Sequence, residues 1–98
     1  MSNIVLEFPP GFEDYEREVE AKGWLPGVVA VIQGHRYTLT VYDPARLTQD
    51  VHEALKGGSV FLERNLVVVA AVTRERIAAA IQEIVQTGRA SDLRPDPG

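Results

Sequence analysis

Leu66-Val67-Val68-Val69-Ala70-Ala71-Val72, closed by Thr73 and followed by the run Arg74 to Gln86, decides how this chain is read. The seven-residue run has no polar residue at alternate positions, as a half-exposed strand would. It therefore reads as a strand covered on both faces, in the middle of a sheet. Three consecutive β-branched valines favour strand over helix, and the run is far too short to span a bilayer. Thr73 can cap a helix through its hydroxyl, and Glu75 places negative charge in the first turn, where the helix dipole favours it. Ile77, Ala78, Ile81, Ile84 and Val85 then form one helical stripe, and Gly88 suits the left-handed end.

Working outward, Val60-Phe61-Leu62 reads as a short strand joined to the central one through Glu63-Arg64-Asn65. Before it, Asp43-Pro44 opens a helix: the aspartate caps, and proline suits the first helical position, where no amide donor is needed. Leu47, Val51, Ala54 and Leu55 are its apolar stripe, and Gly57-Gly58 ends it. Upstream, Val28 to Ile32 and Arg36 to Tyr42 read as an antiparallel hairpin turning at Gln33-Gly34. The second strand alternates. Tyr37, Leu39 and Val41 point one way, and Arg36, Thr38, Thr40 and Tyr42 the other, so Tyr42 is expected to stand outside. Ile4 to Phe8 is a first strand, stopped by Pro9-Pro10-Gly11. Residues 12–22 form a short helix with Phe12, Tyr15 and Val19 on one narrow face.

These readings combine into one α+β domain over residues 1–88, in the order β-α-β-β-α-β-β-α. The sheet is mainly antiparallel with helices packed on it, and residues 89–98 form a flexible tail. If all the helices lie on one side, the bare sheet face marks an interface, and self-association through the sheet is the expectation.

Ninety-eight residues make one domain with a core of its own. The chain has no cysteine, which removes disulfides, thiolate metal sites and cysteine nucleophiles. The N-terminus does not resemble a secretory signal, and a cytoplasmic protein is expected. Glu13, Asp14, Glu16, Glu18 and Glu20 face Arg17 alone within residues 13–20. This local charge of −4 equals the net charge of the whole chain, so the remainder is balanced. Such a distribution argues against nucleic-acid binding, which needs a basic face.

No residue pattern specifies catalysis. His35 lies at the hairpin turn, and His52 sits on a helix beside Asp50 and Glu53, where adjacent positions diverge by about 100°. Ser2, Ser59 and Ser91 lack a nucleophile elbow, and Gly57-Gly58-Ser59 follows a helix instead of opening one. The acidic run lacks the alternating oxygens and bend glycine of a calcium loop. No cofactor, metal or enzymatic activity is expected. The leading expectation is a protein-interaction module that docks on a basic protein partner through Glu13, Asp14, Glu16, Glu20, Trp24 and Tyr42. In size and charge it is similar to immunity proteins and other small acidic inhibitors. The alternative is a small-ligand-binding regulatory domain acting as a homodimer, with its site in a crevice between sheet and helix. Neither nucleic acid nor membrane is an expected partner.

Overall fold

The computed structural model describes residues 3–97. A four-stranded sheet has the order β1-β2-β3-β4, with β1 at Ile4–Glu7, β2 at Trp24–Ile32, β3 at His35–Tyr42 and β4 at Leu66–Val68. The helices are α1 (Glu16–Lys22), α2 (Pro44–Lys56) and α3 (Arg74–Gln86). β1 pairs antiparallel with β2 and β2 with β3, while β3 and β4 run parallel. The parallel pair is joined through α2, since a parallel connection must cross back over the sheet. The domain is α+β with a mixed, mostly antiparallel sheet.

Local chemistry explains the element ends. Gln33 and Gly34 both adopt positive φ (51° and 82°), the primed turn geometry that matches the strand twist of a two-residue hairpin. Asp43 accepts from the Arg46 amide at 2.7 Å and Pro44 occupies the first helical position of α2. Thr73 does the same for α3 through the Arg76 amide. Strand β2 starts four residues before the expected Val28, at Trp24. The register shifts between Pro26 and Val28, with Gly27 at φ 80° as the extra residue. This bulge lets Leu25 and Val28 both point into the core. Proline is tolerated there because β1 pairs with β2 only from Val29 onward.

One face of the sheet carries the core. Val28, Ala30, Ile32, Leu39, Val41 and Val67 pack against Phe12 and Val19 from the α1 side and Ile77 and Ile81 of α3. The other face carries Val5, Glu7, Val29, Val31, Arg36, Thr38, Thr40 and Tyr42 by cross-strand register. α2 lies at one end of that second face. Asp50 accepts from the Tyr42 hydroxyl at 2.9 Å, and the Arg46 guanidinium stands 5.3 Å from the Trp24 ring centre. The helices are therefore split between the two faces.

Three expectations are corrected. The Leu66–Val72 run is not a central strand: its ladder covers only Leu66–Val68, and it forms an edge paired with β3 alone. Val67 and Val69 are buried while Leu66, Val68 and Ala70 are exposed, so burial alternates from Leu66 to Ala70 even though every residue is apolar, and the pattern breaks before the buried Val72. Val60–Leu62 is not a strand but an irregular segment, of which only Phe61 is partly covered, edge-on to Tyr42. Residues 12–22 are not one helix: a 3-10 turn at Phe12–Asp14 precedes α1.

The segment beyond α3 returns to the sheet. After a 3-10 turn at Arg89–Asp92, Asp96 lies along the part of β3 that β4 does not reach. Its carboxylate accepts from the Thr38 amide (3.1 Å) and hydroxyl (2.8 Å), and its own amide donates to the Arg36 carbonyl at 2.7 Å. Asn65 ties this segment to the sheet. Held at φ 50°, a conformation asparagine tolerates better than most residues, it donates to the Thr38 and Arg94 carbonyls and accepts from the Arg94 amide. Gly98 lies outside the described residues.

Candidate functional site

The acidic run does form one surface. Glu13, Asp14, Glu16, Glu18 and Glu20, with Tyr15 and Arg17, line an open concavity of about 540 Å³ on the 3-10 turn and α1. α1 is only seven residues long, so consecutive acids spread around it and cannot all share a narrow stripe. Glu13, Asp14, Glu18 and Glu20 are exposed. Glu16 differs, because its Oε2 accepts from the Arg74 amide at 3.0 Å. It thus places a carboxylate at the first amide of α3, where the helix dipole favours negative charge. The Arg74 guanidinium covers the stacked Phe8 and Phe12 rings, 4.5 Å and 5.4 Å from their centres. Glu16 is therefore a fastening between α1 and α3 as well as a member of the acidic face.

Beside the acids lies a notch of about 240 Å³ walled by Pro9, Tyr15, Trp24 and Pro26, with Glu18 and Lys22 as its two charged residues. Tyr15 is held by its hydroxyl, which donates to the Pro10 carbonyl at 3.0 Å. Trp24 is half-buried, with Arg46 over its ring, and its Nε1 is buried with no hydrogen-bond partner among the described residues. Tyr15 and Glu18 belong to both notch and concavity, so the two are continuous. Tyr15 and Glu18 are read from the sequence as parts of the acidic helix, but their closeness to Pro9 and Pro26 is not. The three-residue spacing of Tyr15 and Glu18 was the available signal.

Tyr42 is placed elsewhere. It is the cross-strand neighbour of Trp24 but only 2% exposed, under α2 and Phe61, which corrects the expectation that it stands outside. The physical reason is that α2 folds onto the end of the wetter sheet face. Burial, the hydrogen bond it donates to Asp50, and the negative charge of Asp50 and Glu63 push the Tyr42 phenol up to about 12, against the opposing charge of Arg46. Asp50 is itself drawn up by burial, but the hydrogen bonds from Arg46 and Tyr42 and the charge of Arg46 outweigh this and hold it below its ordinary value. With both oxygens so engaged, Asp50 is turned away from His52 and Glu53, which are exposed. His35 is exposed at the hairpin turn. Among the described residues no three histidine or carboxylate side chains gather as a metal-binding group, and no helix is long and apolar enough to cross a membrane.

A larger cleft is not legible in the sequence. About 810 Å³ in volume, it lies where β4, the end of α3 and the C-terminal segment meet, with Leu62, Leu66, Ile84 and Leu93 as its apolar lining. Arg64, Arg89 and Arg94 line it too, against Glu63 and Asp92. Arg89 is paired with Asp92 at 3.1 Å, and Arg64 donates to the Pro95 carbonyl. These residues are up to 32 positions apart and converge only through the fold. Comparison of the chain with protein-family models, curated proteins and solved structures gives no match.

Proposed function

We propose that the protein is a non-enzymatic interaction module that captures a basic protein partner on the face formed by the 3-10 turn and α1. The supporting observation is the continuity of four exposed carboxylates, Glu13, Asp14, Glu18 and Glu20, with the notch walled by Tyr15, Trp24 and two prolines. A lysine or arginine side chain entering that notch meets the Tyr15 ring, the Trp24 edge left by Arg46 and the Glu18 carboxylate, with Lys22 as the opposing charge, and the surrounding acids steer the encounter. In this reading Trp24 is the anchor, and Tyr42 supports it from beneath without touching the partner. An inhibitor or accessory role, like that of small acidic immunity proteins, follows from the same chemistry.

The test is affinity capture from native lysate at low and high salt, comparing the wild type with Glu13→Lys, Glu18→Lys and Glu20→Lys combined. Glu16 is left intact because of its bond to α3. The expected result is a basic protein retained by the wild type, weakened by salt and lost by the triple variant with an unchanged far-UV spectrum. Equal retention by both proteins, or no specific partner, removes the proposal.

The cleft at β4 favours a second reading, a small anionic ligand held by Arg64, Arg89 and Arg94 above an apolar floor, in a domain acting as a homodimer. A thermal-shift screen of carboxylates and phosphate esters tests it. Absence of stabilisation by any of them, or stabilisation that survives Arg94→Ala, discards it.

A further inference from the structure

Five large apolar side chains stand in solvent around β4: Leu62 is 85% exposed, Val60 76%, Leu55 59%, Val68 45% and Leu66 37%. They belong to one region. The Gly58 and Ser59 amides bond back to the Leu55 and Ala54 carbonyls, so the chain enters Val60 from the end of α2. Phe61 meets Tyr42 edge-on at 6.0 Å, and Tyr42 is the register partner of Val68. Leu62 and Leu66 share a wall of the large cleft.

The strand they surround has a free ladder. The Thr40 amide donates to the Asn65 carbonyl, and the Val69 amide to the Tyr42 carbonyl. Because ladder groups alternate along a strand, the N–H and C=O of Leu66 and Val68 point away from β3. The clefts of about 810 Å³ and 320 Å³ beside β4 leave that edge uncovered. Edge strands are ordinarily blunted by shortness, lysine, proline or a bulge; Leu66-Val67-Val68 is short, at three residues, but carries no lysine, proline or bulge.

We infer that this edge is a two-fold interface between copies of the chain, with β4 pairing antiparallel to β4 of a second copy. Leu66 of each copy faces Val68 of the other. The outward groups of the two residues then form four hydrogen bonds, and the two sheets join into one of eight strands. The edge is self-complementary, as an isologous contact requires. The exposed apolar area of the five side chains is on the order of 500 Å². A standard interface buries about 800 Å² per partner, and about 65% of that is apolar in homodimers, which is the same amount. α1 packs on β2, two strands away from β4, so the acidic face stays open in the dimer.

Sedimentation velocity from micromolar to near-millimolar concentration tests the inference. The expected result is a dimer in the wild type, with association weakened at least ~100-fold in Leu62→Lys and in Val68→Lys, since each buries an unpaired charge at the contact. A wild type that stays monomeric, leaving the patch to a different chain, overturns it, as does a dimer that persists in both variants. Amide exchange on the wild type gives a readout independent of whether the variants fold. Protection of the Leu66 and Val68 amides rises with protein concentration if they pair between copies, and concentration-independent exchange refutes the pairing.

Discussion

Tyr42 shows how one residue's setting is decided by its neighbours. From the sequence it shares an alternating strand with threonines; in the fold it is sealed by α2, with its hydroxyl on Asp50. Its phenol is held near 12 against an ordinary value of 10.0, so the folded state favours the protonated form. A raised value in the folded state stabilises the protein fully below the unfolded value and is lost as pH rises through the folded one. Urea stability of the wild type is therefore expected to fall, relative to Tyr42→Phe, between about pH 10 and about pH 12. The excess loss is on the order of 2–3 kcal/mol. Parallel stability curves for the two proteins across that window would contradict the assignment. Glu16 is the same lesson in reverse: one acid among five by sequence, it alone bonds the α3 terminus.

At the scale of elements, the joint between α1, β2 and α2 concentrates the most constraint. Gly23 ends α1 at φ 72°, and its carbonyl accepts from the Asp43 amide at 2.9 Å. A Cβ there would lie 2.4–2.6 Å from the Asp43 carboxylate atoms. That carboxylate cannot move aside without releasing the Arg46 amide that it caps. Gly23→Ala therefore combines left-handed strain with loss of the α2 cap, and about 2–4 kcal/mol of destabilisation is expected. Thermal denaturation with amide exchange at Arg46 checks this. A variant as stable as the wild type, with an unchanged Arg46 amide, would show that the joint relaxes freely. Helices α2 and α3 are legible in the sequence. Ile77 and Ile81 are buried as the α3 stripe requires, and Asp43 and Thr73 cap as their positions suggest. Val60–Leu62 has the composition of a strand but pairs with no neighbour among the described residues, and apolar β-formers make a strand only where the fold brings them alongside one.

For the whole molecule, closure of the sheet depends on the C-terminal segment. β4 covers only Thr40 to Tyr42 of β3, and Asp96 with Asn65 satisfies the stretch around Thr38. Asp96→Ala is expected to cost about 1–3 kcal/mol, since it removes a carboxylate that accepts two hydrogen bonds, and to speed exchange of the Thr38 amide. Unaltered exchange at Thr38 would mean that the segment behaves as the flexible tail expected from its two prolines.

The sequence by itself determined the class of fold, the capped helices α2 and α3, the Gln33-Gly34 hairpin and the local excess of acid. Each of these is set by residues a few positions apart, through helical periodicity, side-chain caps and turn φ values. Only the tertiary structure decided that Leu66–Val68 is an edge, that Tyr42 is sealed, that Glu16 fastens two helices, and that Arg64, Arg89 and Arg94 share a cleft. Those outcomes depend on which strands pair and on which face each helix lands. An all-apolar strand fits an edge as readily as a centre until its neighbours are in place.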